Sequence, residues 1–100
     1  MDQFKNTALE LVKARIGLST TVRDTYLEQI IASILTELTE VHGLSLKVDN
    51  PYHLMFVVDF ADWRYSNRDS EKGMPRHLQF RLHNMILKKL GETNDENMGS

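Results

Sequence analysis

Apolar residues recur at three- and four-residue spacing along most of this chain, which is the period of a helix rather than of a strand. Phe4, Ala8, Leu11, Val12 and Ile16 predict a first helix from about Gln3 to Ile16. Gly17 is placed to stop it, and Lys13 and Arg15 in its last turn complement the helix dipole. The second and longest pattern runs from about Val22 to His42 and ends at Gly43. Tyr26, Leu27, Ile30, Ile31, Ile34, Leu35, Leu38 and Val41 cover about half its circumference, and Thr21 with Asp24 forms a variant capping box. At 1.5 Å per residue this helix spans roughly 30 Å and is the expected spine of the domain. Leu44 to Val48 alternates apolar and polar residues. A lone strand has nothing to pair with inside the chain, so the segment reads as an extended connector that tucks Leu44 and Leu46 onto the core. The competing reading is a strand that pairs with another subunit.

The third helix is the one around which the others are organised. Asn50 is a good N-cap and Pro51 suits the first helical position. Leu54, Val57, Val58, Ala61 and Tyr65 form one apolar stripe, and Phe56, Phe60 and Trp63 form a second. A helix apolar on two sides needs cover on both, which makes it the central element. Ser66 to Gly73 is a polar loop. A fourth helix starts near Pro75 and runs to Leu90, followed by Gly91. The fold expected is an all-α bundle of about four helices over residues 1–91, with a disordered acidic C-terminal tail over residues 92–100.

Composition narrows the function classes. One hundred residues with 41% hydrophobic content are enough for one modest core. A formal charge of −2 predicts neither a nucleic-acid binder nor a membrane-surface binder. There is no cysteine, which excludes disulfides, thiol nucleophiles and cysteine-based zinc sites. The first residues lack the apolar run of a signal peptide, and no apolar stretch approaches the length of a membrane span, so a soluble protein is expected. Charge is uneven. Val22 to His42 carries one arginine against four acids, a net of −3, while Gly73 to Gly91 carries Arg76, Arg81, Lys88 and Lys89 with no acid, a net of +4. Those signs could pair inside one subunit or between subunits, or mark two solvated faces.

No catalytic or cofactor motif is visible. Asp59 and Asp62 share a helix face, as paired carboxylates for a cation or for acid–base work would. With Arg64 and Arg68 close in sequence, ion pairing at the edge of the core is the simpler reading. The histidines at positions 42, 53, 77 and 83 form no metal-binding pair, and His42 is suited to the end of the second helix. Nothing resembles a nucleophile elbow or a phosphate loop. Trp63 and Tyr65 could stack on bases, but at helical spacing beside Val57 and Ala61 they read as core. The second helix is too acidic and apolar for the reading helix of a helix-turn-helix. The fourth helix carries two faces: Leu78, Leu82, Met85 and Ile86, with Leu90 at the edge, can close the bundle, while Arg76, Phe80, His83 and Leu87 lie almost opposite. The second face, with Arg81 beside it, reads as a contact surface for another subunit or a partner.

Three features carry a family resemblance. They are the long apolar helix ending in Gly43, the proline-led helix closing on Trp63-Arg64-Tyr65-Ser66-Asn67-Arg68-Asp69, and Gly73-Met74-Pro75 opening a final amphipathic segment. Over roughly Thr20 to Leu90 the chain resembles the head–tail connector proteins of long-tailed bacteriophages, also called adaptor or head-completion proteins. Its long basic last helix departs from that pattern. The resemblance implies a structural virion protein with no catalytic activity, no cofactor and no metal. The free chain would be a monomer in solution, made in the host cytoplasm, that assembles as a dodecameric ring beneath the portal protein. That ring extends the DNA channel without sequence-specific binding and provides the platform for a stopper or tail-completion protein at the head–tail interface. In the Asn67-Arg68 pair of that run, Arg68 is expected to anchor the polar loop to a carboxylate or to helix-end carbonyls, the competing reading being a direct contact to DNA in the channel; Asn67, and Trp63 as a core residue, are expected to be structural. The alternative is a free-standing helical regulatory module, antitoxin-like or transcription-associated, distinguishable as a stable dimer that binds a host protein or DNA fragment.

Overall fold

The computed structural model describes the backbone of residues 2–98 and the side chains of residues 2–91. Four α-helices follow one another: α1 (Asp2–Ile16), α2 (Asp24–Thr36), α3 (Pro51–Ser66) and α4 (Arg76–Met98), with a π-helical turn, Glu37–Val41, continuing α2. No strand occurs among the described residues. The all-α bundle expected from the spacing is the fold observed. The acidic tail expected over residues 92–100 lies outside the residues whose side chains are described.

Local chemistry explains where the helices begin and end. Asn50 caps α3 through its side-chain oxygen, which accepts from the backbone N–H groups of Tyr52 at 2.9 Å and His53 at 3.3 Å, with Pro51 at the first helical position. Gly17 and Gly43 take positive φ values of 85° and 68°, the left-handed conformation that turns the chain off a helix end. After Gly17, the N–H of Leu18 donates back to the carbonyl of Lys13 at 2.9 Å. Two expected boundaries move. Helix α2 begins at Asp24, because Val22 and Arg23 form a turn and Arg23 occupies the cap position with no capping bond, its guanidinium donating instead to the Tyr65 hydroxyl; the Thr21 capping box does not form. Helix α4 runs on through Gly91, which lacks the positive φ that ends α1 and the π turn.

The core is built on α3. Phe56, Val57, Val58, Phe60, Ala61 and Tyr65 are all buried, so both of its stripes are covered. Helices α1 and α2 pack on α3 and on each other. They contribute Phe4, Ala8, Leu9 and Val12 from one side, and Leu27, Ile30, Ile31, Ile34 and Leu35 from the other, continued by Leu38 of the π turn. The segment Leu44–Lys47 is an extended connector that buries Leu44 and leans Leu46 on the core. Several residues assigned to the core by spacing sit at its margin, Leu11, Ile16 and Leu54 among them. Trp63 is only half-buried, packed against Phe60 with ring centroids 6.3 Å apart. Tyr26 is exposed beside Tyr65. Val41 is 72% exposed because it ends the π turn. One extra residue per turn there rotates the following side chains off the α-helical register, so Leu38 stays inside and Val41 swings out.

Candidate subunit interface

Helix α4 is held differently from the other three. Among the described residues it packs on α3 alone. Leu78 and Met85 are its buried side chains, with Leu82 and Ile86 half-buried beside them, so the inner face is the one its spacing predicts. Leu90, at the edge of that stripe, is exposed. On the outer face Arg76, Phe80, His83 and Leu87 are all exposed, Phe80 by 61% and Leu87 by 50%. A large aromatic and a leucine open to solvent on one stripe, flanked by a cation and an imidazole, have the make-up of a contact surface.

Arg81 stands apart from the other candidate contact residues. It reaches inward, donating to the Asp59 carboxylate at 2.6 Å, with its guanidinium 5.4 Å from the Phe56 ring centre and 5.9 Å from that of Tyr52. Arg15, from the last turn of α1, also pairs with Asp59 and reaches Asp62 at 3.0 Å. The two aspartates do form ion pairs, as expected, but with Arg15 and Arg81 rather than with Arg64 and Arg68. The reason is direction: the carboxylates face α1 and α4, while Arg64 lies on another side of α3 and Arg68 lies beyond its end. Arg64 lies over Phe60, 4.6 Å from the ring centre, and donates to Glu37 of the π turn and to Ser33 of α2. The Arg15–Asp59–Arg81 cluster therefore ties three helices at one point. Sequence reasoning missed it because its members lie 44 and 22 residues apart along the chain. The only signal was a pair of aspartates on an otherwise apolar helix.

The aromatic run that ends α3 closes on itself. The side chain and backbone N–H of Asn67 donate to the Trp63 carbonyl at 2.9 Å and 3.0 Å. Arg68 donates to the Tyr65 carbonyl at 2.7 Å and stacks on the Tyr65 ring, 4.4 Å from its centre. These bonds satisfy last-turn carbonyls that would otherwise need water, and they fix the direction in which the loop to α4 departs. Trp63, Asn67 and Arg68 border a shallow groove of about 410 Å³ beneath that loop. A larger groove, about 700 Å³, lies between the connector and α4, with Lys47, Lys88 and Lys89 on its walls and Leu44 and Met85 among its lining.

Among the described residues no group of three or more His, Asp or Glu side chains is placed to hold a metal ion. No described helix is long and apolar enough to cross a membrane. No protein-family model matches the chain, and no curated protein or solved structure is significantly similar to it.

Proposed function

We propose that this chain is a structural head–tail connector of a long-tailed bacteriophage. Copies of it assemble as a ring, dodecameric in the family it resembles, beneath the portal. The ring extends the DNA channel and presents the docking platform for a stopper or tail-completion protein. The observation that carries the reading is the outer face of α4. It is a helix attached to one neighbour, with Arg76, Phe80, His83 and Leu87 turned to solvent. Such a face suits a protein whose work is assembly. The Trp63–Asp69 run supports the reading from the sequence side, because the residues that carry the resemblance are those that set the exit angle of the loop leading to α4.

In this reading the chain has no catalytic role. The side chains do mechanical work: α1, α2 and α3 make a rigid body, and α4 makes the contact. The test is electron microscopy of the protein mixed with purified portal from the same phage. A ring of density added to one end of the portal is expected. A stable dimer that ignores the portal and captures a host protein or a DNA fragment would replace this reading with a regulatory one.

A further inference from the structure

Helix α4 carries one exposed heptad-like seam, and α2 with its π turn carries another. On α4 the positions are Arg76, Phe80, His83, Leu87 and Leu90, spaced four, three, four and three. On α2 and the π turn they are Tyr26, Gln29, Ser33, Thr36 and Glu40, spaced three, four, three and four. All ten residues are exposed; on the α2 seam Tyr26 lies beside the Tyr65 ring and the Ser33 hydroxyl accepts from Arg64, and the rest of both seams faces solvent. Alternating three and four is the spacing at which two helices mesh side by side.

We infer that the α4 seam of one copy docks antiparallel on the α2 seam of a second copy. The inference rests on the reading of α4 as the assembly surface and adds the site that receives it. Charge and size complementarity select this occupant. Glu28 and Glu40 lie twelve residues apart on the α2 side, and Arg76 and Lys88 lie twelve apart on α4. The α4 separation comes to about 18 Å along an α-helix, and the π turn makes the Glu28–Glu40 separation slightly shorter. None of the four is ion-paired among the described residues. In the antiparallel register Arg76 meets Glu40, Lys88 meets Glu28, and Leu90 meets the exposed Tyr26 ring. Phe80 and His83, the bulky members of the α4 seam, fall against Thr36 and Ser33, the small members of the other. A parallel arrangement keeps the charges but moves Leu90 to the far end from Tyr26. The two seams differ, so the contact is head-to-tail. Each copy keeps one free seam of each kind, and addition continues until a ring closes.

The chain has no cysteine, so single cysteines report the register cleanly. Copies carrying Tyr26→Cys are mixed with copies carrying Leu90→Cys, concentrated or assembled on portal, and oxidised mildly. An interchain disulfide is expected for this pair. It is not expected for Tyr26→Cys with Arg76→Cys, because Arg76 lies about 21 Å from Leu90 along the helix, far beyond disulfide reach. Glu40→Arg should weaken self-association about tenfold at low salt, and adding Arg76→Glu in the same chain should restore it. Equal cross-linking of both pairs overturns the inference, as does no cross-linking of the Tyr26–Leu90 pair. Rings on the portal with that pair silent give the seam to the portal, which sinks this contact and leaves the connector reading standing. A specific Tyr26–Leu90 cross-link in a protein that ignores the portal does the reverse.

Discussion

Replacing Leu78 with alanine should loosen α4 while leaving the rest of the protein folded. Leu78 is fully buried, and among the described residues Met85 is the other buried side chain of α4. Each such side chain contributes about 1.5–3 kcal/mol when taken out of water. The alanine removes the equivalent of three methylene groups, about 2.5 kcal/mol at ~0.8 kcal/mol each. Any cavity left behind moves the cost toward the upper part of the ~2–5 kcal/mol range for such truncations. Among the described residues α4 packs on α3 alone, so the loss falls on the docking of one helix and not on the α1–α2–α3 body. A loss of about 3 kcal/mol corresponds to roughly a hundredfold faster amide exchange by local opening. Hydrogen exchange measured by mass spectrometry should find that acceleration across residues 76–90, with peptides from residues 24–36 and 51–66 little changed. Equal acceleration in all four helices would mean that α4 is part of one cooperative unit, and the argument for a separately attached helix would fail.

The other predictions concern residues whose surroundings differ from what spacing alone implies. Trp63→Ala should cost about 2 kcal/mol, less than the ~3–5 kcal/mol of a fully buried aromatic, because the ring is half-buried; Phe60→Ala, at a buried site, should cost more, and thermal melting of the two variants ranks them. Asp59→Asn leaves Arg15 and Arg81 facing each other without their shared counter-charge. Because Arg15 is well exposed, the loss should be about 1 kcal/mol, and melting in low and high salt should find it shrinking as salt rises. Arg68→Lys keeps the charge but loses the planar fork that reaches the Tyr65 carbonyl and lies on its ring; a loss of about 1 kcal/mol and faster exchange over residues 67–74 are expected, and an unchanged loop would remove its anchoring role.

The helices were legible because each carries its own period and its own punctuation. Asn50-Pro51 opens α3 and Gly17 and Gly43 close their helices through interactions local to the chain. The double stripe of α3 likewise predicted its central position, since a helix apolar on two sides has only one kind of place to go. Features set by tertiary direction were not legible. Whether Asp59 faces Arg15 and Arg81 or Arg64 depends on which neighbour lies on that side of α3, and no spacing rule contains that. Val41 fits the apolar stripe of an ideal α-helix and leaves it only because the last turn widens. For α4, spacing separated the two faces, and the buried Leu78 against the open Phe80 follows that separation. Arg81 sits between the two faces and was drawn inward by a carboxylate.

The claim on which everything else depends is that the outer face of α4 is the assembly surface. Hydrogen exchange on residues 76–90, free and then bound to portal, tests it most directly, with the Phe80→Ala, Leu87→Ala double variant alongside. In the free protein this segment should exchange faster than residues 24–36, and on assembly it should become protected. The double variant removes only exposed side chains, so it should fold as the wild type does and form no ring. An α4 as protected as α2 in the free protein and unchanged on assembly, or a double variant that builds normal rings, would contradict the account.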